Sequence, residues 1–215
     1  MKIVPAILVH SSEEYFQQLN VVDDLVDLIH IDVADGRFVP NKTWADPDMI
    51  RDATVPDIEL HLMVEDPEKE IKRWEDVPQV KRYIIHAETK THLTNVIGKA
   101  KSKKQIVSIA LNPGTNINTI DPFVTKIDHV QCMGVKPGFQ GQPFETSTLD
   151  TIKKIRQKYP KLAIAVDGHV DEETLPQLLE AGATHLCVGS AIFKAADPEA
   201  AFKRLQAMAD QLTSS

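Results

Sequence analysis

Short apolar runs recur along the chain at residues 3–9, 25–33, 58–64, 83–86, 106–111, 127–135, 162–166 and 185–188. Each has the length of a strand rather than of a helix, and most are rich in Val and Ile. Between them the apolar period changes. Leu149, Ile152 and Ile155 recur every third residue, with Lys153, Lys154, Arg156 and Lys158 among the polar positions, which predicts an amphipathic helix. Leu175, Leu178, Leu179 and Ala181 form a second stripe, preceded by Asp171, Glu172 and Glu173. Acidic residues suit a helix start, Pro176 near that start is tolerated, and Gly182 is placed to end the helix.

Eight strand-like runs alternating with helical stretches, at roughly 27 residues per unit, argue for a parallel sheet of βα units. The chain length of 215 residues fits one compact (β/α)₈ TIM barrel, a single domain across residues 1–215 with no linker or low-complexity tract. An open doubly wound sheet is the alternative. Its nucleotide-binding form calls for a glycine-rich turn after the first strand, and here that turn is Val9-His10-Ser11-Ser12.

Inward positions near the C-terminal ends of barrel strands build the active site. In Leu28-Ile29-His30-Ile31-Asp32-Val33, His30 and Asp32 share one face and the isoleucines the other. Glu59-Leu60-His61-Leu62-Met63-Val64 repeats the pattern with His61 and Met63, and Asp167 ends the run Ala163-Ile164-Ala165-Val166. A single strand-end His is ordinarily a hydrogen-bonded structural residue, and a single strand-end Asp a helix cap. Four such residues at one barrel mouth instead favour a divalent metal held by His30, Asp32, His61 and Asp167. His86-Ala87-Glu88 has the same two-residue spacing, as a rival ligand pair or as support behind the ligands. Glycine-bearing loops after the sixth, seventh and eighth strands predict a phosphate site: Lys136 to Gln142, Gly168-His169, and Gly189-Ser190-Ala191-Ile192-Phe193.

Composition narrows the function classes. Asp and Glu number 31 against 24 Lys and Arg, a formal charge of −7, which argues against a nucleic-acid surface. The two cysteines, Cys132 and Cys187, lie inside apolar runs and read as reduced thiols. No segment has the apolar length of a membrane helix, and the opening MKIVPAILVHSS reads as a strand rather than a signal peptide. A cytoplasmic protein is expected.

Several segments resemble the signature of ribulose-phosphate 3-epimerases. They are His30-Ile31-Asp32-Val33-Ala34-Asp35-Gly36-Arg37-Phe38-Val39-Pro40-Asn41, His61-Leu62-Met63-Val64, Ala110-Leu111-Asn112-Pro113, Met133 through Gln142, Val166-Asp167-Gly168, and Gly189 through Phe193. They follow in order over nearly the whole chain. The resemblance implies the ribulose-phosphate-binding type of (β/α)₈ barrel and a homo-oligomer. It also implies a divalent metal on His30, Asp32, His61 and Asp167, with Zn²⁺ the default and Fe²⁺, Mn²⁺ or Co²⁺ as alternatives. The sugar phosphate is expected at His61, Gly138, Phe139, Gln140, Gly141, Gly168, His169, Gly189 and Ser190, with Met63 and Met133 lining the reacting carbons. Asp32 and Asp167 would be the acid–base pair. One carboxylate takes the carbon-3 proton of a ketose phosphate, leaving an enediolate, and the other carboxyl returns a proton to the opposite face.

Some positions depart from the family pattern. Ala6 stands where the family has Ser, Ala34 where it has Met, Arg37 where it has His, Lys136 where it has Asn, and Gln140 and His169 where it has Gly. Lys136, Arg37 and His169 are expected to line the mouth of the site. The leading reading is 3-epimerisation of ribulose 5-phosphate to xylulose 5-phosphate. The alternatives are the same chemistry on a hexulose 6-phosphate, such as allulose 6-phosphate, and a non-catalytic barrel that binds a sugar phosphate. The paired aspartates argue against the last.

Overall fold

A computed structural model describes residues 2–53, 55–139 and 141–214. Eight parallel strands close into a barrel in chain order: β1 (Lys2–Ile7), β2 (Leu28–Ala34), β3 (Asp57–Met63), β4 (Val80–His86), β5 (Ile106–Leu111), β6 (His129–Met133), β7 (Ala163–Asp167) and β8 (His185–Val188). Ring closure is by β1 against β8, with Lys2 opposite His185 and Pro5 opposite Val188. The outer helices are α1 (Ser12–Val22), α2 (Pro47–Arg51), α3 (Pro67–Trp74), α4 (Leu93–Ser102), α5 (Ser147–Lys158), α6 (Thr174–Ala181), α7 (Ser190–Phe193) and α8 (Pro198–Thr213). A 3₁₀ turn, Ile117–Ile120, takes the place of a helix between β5 and β6. The structure bears out the barrel. Among the described residues, no helix is long and apolar enough to cross a membrane.

Local sequence explains where the helices begin and end. Asp46-Pro47, Asp66-Pro67 and Asp197-Pro198 each put an aspartate at the N-cap and a proline in the first turn, where its missing N–H costs nothing. The predicted stripes are borne out, with Ile152 and Ile155 of α5 and Leu175, Leu178 and Ala181 of α6 buried. Gly182 ends α6 with φ +112°, a left-handed cap natural to glycine.

The alternation along each strand sorts the barrel into two regions. Outward residues such as Ile29, Ile31, Leu60, Tyr83 and Ile109 pack under the helices as the hydrophobic core. Inward residues include His30, Asp32, Glu59, His61, Arg82, Gln131 and Asp167, so much of the barrel lumen is polar. Burial without satisfaction is costly, and these groups are instead joined in hydrogen-bonded sets that lead up to the C-terminal mouth.

Candidate active site

Strand register brings the four predicted ligands together. His61 lies directly opposite Asp32 across β2 and β3, His30 sits two residues below Asp32 on the same face, and Asp167 ends β7 opposite Met133. One nitrogen or oxygen from each of His30, Asp32, His61 and Asp167 falls within 4.8 Å of the other three. Nδ1 of His61 is 2.8 Å from Oδ1 of Asp32 and 3.3 Å from Oδ2 of Asp167. Nε2 of His30 is 3.4 Å from Asp32 and 3.9 Å from Asp167.

Two features show that the group can hold a divalent metal. Nε2 of His30 is fully buried and has no hydrogen-bond partner, so its place facing two carboxylates calls for a cation. The donors, two imidazoles and two carboxylates, suit a borderline divalent metal. Behind them, His30 donates from Nδ1 to Oε1 of Glu59 at 2.8 Å, and Glu59 also accepts from Arg82. That pair fixes the ring so that Nε2 presents its lone pair. Glu59, His30 and Cys187 form a second close trio, but Arg82 already supplies the positive charge that Glu59 needs.

Electrostatics follow from the same contacts. Burial pushes the Asp32 carboxyl up, but the imidazoles of His30, 3.4 Å away, and of His61, hydrogen-bonded to it, outweigh burial and hold the group well below the usual carboxylate range. Burial also opposes charge on His30 and His61. Cys187, Asp32 and Glu59 around His30, and Asp167 and Asp32 beside His61, nevertheless raise both rings above the ordinary imidazole value. Each pair is thus drawn toward opposite charges, the state a cation would replace.

Loop chemistry shapes the rim. Thr43 donates from its hydroxyl to the Asp32 carbonyl and accepts from the Ala34 N–H, both at 2.8 Å, which anchors the end of β2. Asp35 accepts from the N–H groups of Arg37, Phe38 and Glu65 at 2.8–2.9 Å and so ties the loops after β2 and β3. Asn41 donates to the Gly138 carbonyl at 2.7 Å and joins the β2 loop to the β6 loop. Gly134 and Gly168 let the exits of β6 and β7 touch: a Cβ on Gly134 would lie 2.1 Å from the Gly168 carbonyl oxygen. The Gly134 N–H donates to the Asp167 carbonyl at 2.6 Å across that contact.

A cavity at the mouth is lined by Asp32, Asp167, Met63, Met133, Gly138, Phe139, Gly141, Gly168, His169, Gly189 and Ser190, together with Ala6 and Cys187. Most of the expected substrate residues therefore face one space. His61 does not; it is fully buried, with both ring nitrogens engaged inside the barrel. Gln140 lies outside the described residues. Of the three departures expected at the mouth, only His169 lines it. Arg37 points to solvent with its side chain 76% exposed, 3.9 Å from Glu65, and Lys136 is exposed. Loop side chains follow their turns, and here Asp35 turns Arg37 outward. His169 adopts φ +53°, unusual for a residue with a Cβ, and its Nδ1 lies 2.5 Å from the Gln142 carbonyl.

Glu59, Arg82 and Gln131 also face this lumen and are not among the residues expected from the sequence. A signal existed: Glu59 precedes His61 by two, and Gln131 precedes Met133 by two, so each shares the inward face. His86 is no direct member of the metal group; it stands behind His61.

Residues 2–193 match the model of the ribulose-phosphate 3 epimerase family. The ribulose-phosphate 3-epimerase of Bacillus subtilis (strain 168) is 34% identical over 221 residues, covering 96% of this chain and 98% of its own. The ribulose-phosphate 3-epimerase of Schizosaccharomyces pombe is 35% identical over 179 residues, covering 80% and 78%. Among solved structures, 3-hexulose-6-phosphate synthase from Salmonella typhimurium superposes with a TM-score of 0.75 at 17% identity, covering 99% of this chain and all of that one. That likeness speaks for the fold.

Proposed function

This chain belongs to the ribulose-phosphate 3-epimerase family, an isomerase family, and from that premise we propose that it interconverts ribulose 5-phosphate and xylulose 5-phosphate. The observation that carries the proposal is the convergence of Asp32 and Asp167, from β2 and β7, on one cavity, both within a group fit for a divalent cation. Either carboxylate takes the carbon-3 proton, and the other, protonated, supplies one to the opposite face. Because epimerisation runs both ways, the two exchange roles with direction. His30, Asp32, His61 and Asp167 would hold a divalent cation, which would supply positive charge to offset the charge that develops on the substrate. Zn²⁺ suits these donors, and elemental analysis of the purified protein separates it from Fe²⁺, Mn²⁺ and Co²⁺. Met63 and Met133 give the reacting carbons a wall without competing proton donors.

Glycine-rich backbone of Gly141, Gly168, Gly189 and Ser190 lines the same cavity and is assigned to the substrate phosphate, with Gly138 and Phe139 from the β6 loop beside it. Free Cys132 and Cys187 support a reducing compartment, the cytoplasm.

Solvent deuterium entering substrate carbon 3 tests the proton chemistry before any product is assumed. Ribulose 5-phosphate with no exchange at saturating metal would leave the non-catalytic barrel standing. Ala6 on the cavity wall leaves space that a serine would fill, which favours testing allulose 6-phosphate in parallel. A higher kcat/KM for the six-carbon sugar would transfer the assignment to it.

A further inference from the structure

His61 makes one contact that metal binding does not require. Its Nε2 lies 2.8 Å from Nε2 of His86, so one ring donates there and the other accepts. Nδ1 of His86 lies 3.3 Å from Oε2 of Glu88. The other carboxylate oxygen of Glu88 accepts from the Asn112 N–H at 3.0 Å and from the Thr115 hydroxyl. A carboxylate only accepts, so His86 carries its proton on Nδ1 and accepts at Nε2. The proton between the rings then belongs to Nε2 of His61. In the neutral ring that takes a metal, this leaves Nδ1 of His61 as a lone pair 2.8 Å from Asp32 and 3.3 Å from Asp167, three acceptors that a cation at their centre reconciles. His61 and His86 stack with centroids 4.9 Å apart, and Phe38 packs on His86 at 4.9 Å, so both rings are held in place.

We infer that His86, oriented by Glu88, is a positioning residue that fixes the tautomer of His61 and so prepares its Nδ1 for a divalent cation. This rests on the metal reading of the site. It mirrors the Glu59–His30 pair on the other imidazole, with a neutral ring in place of the carboxylate.

Titration of the metal-free protein with Zn²⁺ against a chromophoric chelator tests it. His86→Leu keeps the bulk but offers His61 no acceptor, and its Zn²⁺ affinity should fall by roughly ten- to a hundredfold. His86→Gln can accept from His61 through its amide oxygen and donate to Glu88 through its amide nitrogen, and should recover most of that loss. Nitrogen-15 NMR of the wild-type metal-free rings needs no variant, and should show His86 protonated at Nδ1 and bare at Nε2. Wild-type Zn²⁺ affinity in His86→Leu overturns the inference, as does an equal loss in His86→Gln or a bare Nδ1 on His86. A wild-type protein that binds no Zn²⁺, Fe²⁺, Mn²⁺ or Co²⁺ instead overturns the metal reading, and the inference with it.

Discussion

Asp32 and Asp167 are the acid–base pair of the proposed function, and their separate roles can be measured. Asp32→Asn and Asp167→Asn should each lower turnover by roughly 10²–10⁴-fold, the range for loss of a general acid or base. Metal content measured in the same preparations separates proton transfer from ligation, and wild-type turnover in either variant would remove that aspartate from the pair. Each aspartate alone reads as a helix cap, and both were legible as site residues only because His30, Asp32, His61 and Asp167 recur together at inward positions near strand ends. Glu59 and Arg82 were not. A carboxylate and a guanidinium in a strand read as solvent-facing until the register shows them meeting inside the lumen. The direction of Arg37 was equally hidden, since it depends on how the Asp35 turn folds and no periodicity reports that.

At the scale of elements, the exits of β6 and β7 form one unit. The Gly134–Gly168 approach leaves no space for a methyl group, and the bond from Gly134 to the Asp167 carbonyl runs across it. Gly134→Ala should therefore cost about 1–3 kcal/mol of stability, as overpacking does. It should also displace the end of β7, and a displacement of about 1 Å at Asp167 is worth on the order of a hundredfold in rate. Thermal unfolding and steady-state turnover check the two parts, and a variant with normal turnover would show that the strand exits move independently. Element positions were largely readable. The exceptions have reasons: β4 begins at Val80 rather than at Tyr83, because Lys81 and Arg82 at its polar end interrupt the apolar run. The five-residue α2 and the 3₁₀ turn are too short to show a period.

The polar lumen makes whole-molecule stability depend on pH. His129 is buried in the lumen of β6 against Ser108, 2.8 Å away, and stacks on His185. Burial first, and the charge of Arg82 second, lower its pKa from 6.5 to about 3. As pH falls through 6.5 the unfolded chain takes up a proton on this ring, whereas the folded chain does not until about 3. The neutral ring thus contributes stability that is fully present above 6.5 and is lost progressively down to about 3. Urea unfolding across that window should show a slope shallower by about 1.4 kcal/mol per pH unit in His129→Gln than in wild type. Parallel slopes would mean that the ring titrates alike in both states. At the same scale, the homo-oligomer that the family resemblance implies predicts sedimentation at micromolar concentration as a species heavier than one chain, and a monomer would exclude it. Barrel closure was foreseeable from eight alternating units, but the lumen network was not, because it is a property of the ring rather than of any strand.

β1 pairs with β8, so the sheet closes only when its last strand arrives. On the ribosome this sets a waiting period. At ~5–20 residues per second, the first strand emerges on the order of ten to forty seconds before the strand that will cover its open edge. Throughout that interval its free N–H and C=O groups can recruit a neighbouring nascent chain. A message truncated ahead of β8 would yield a product with two bare edges, destined for aggregation or proteolysis rather than for partial activity. The turn leaving β8 brings Gly189 and Ser190 to the mouth, so every molecule with a finished mouth is one whose edges are already hidden.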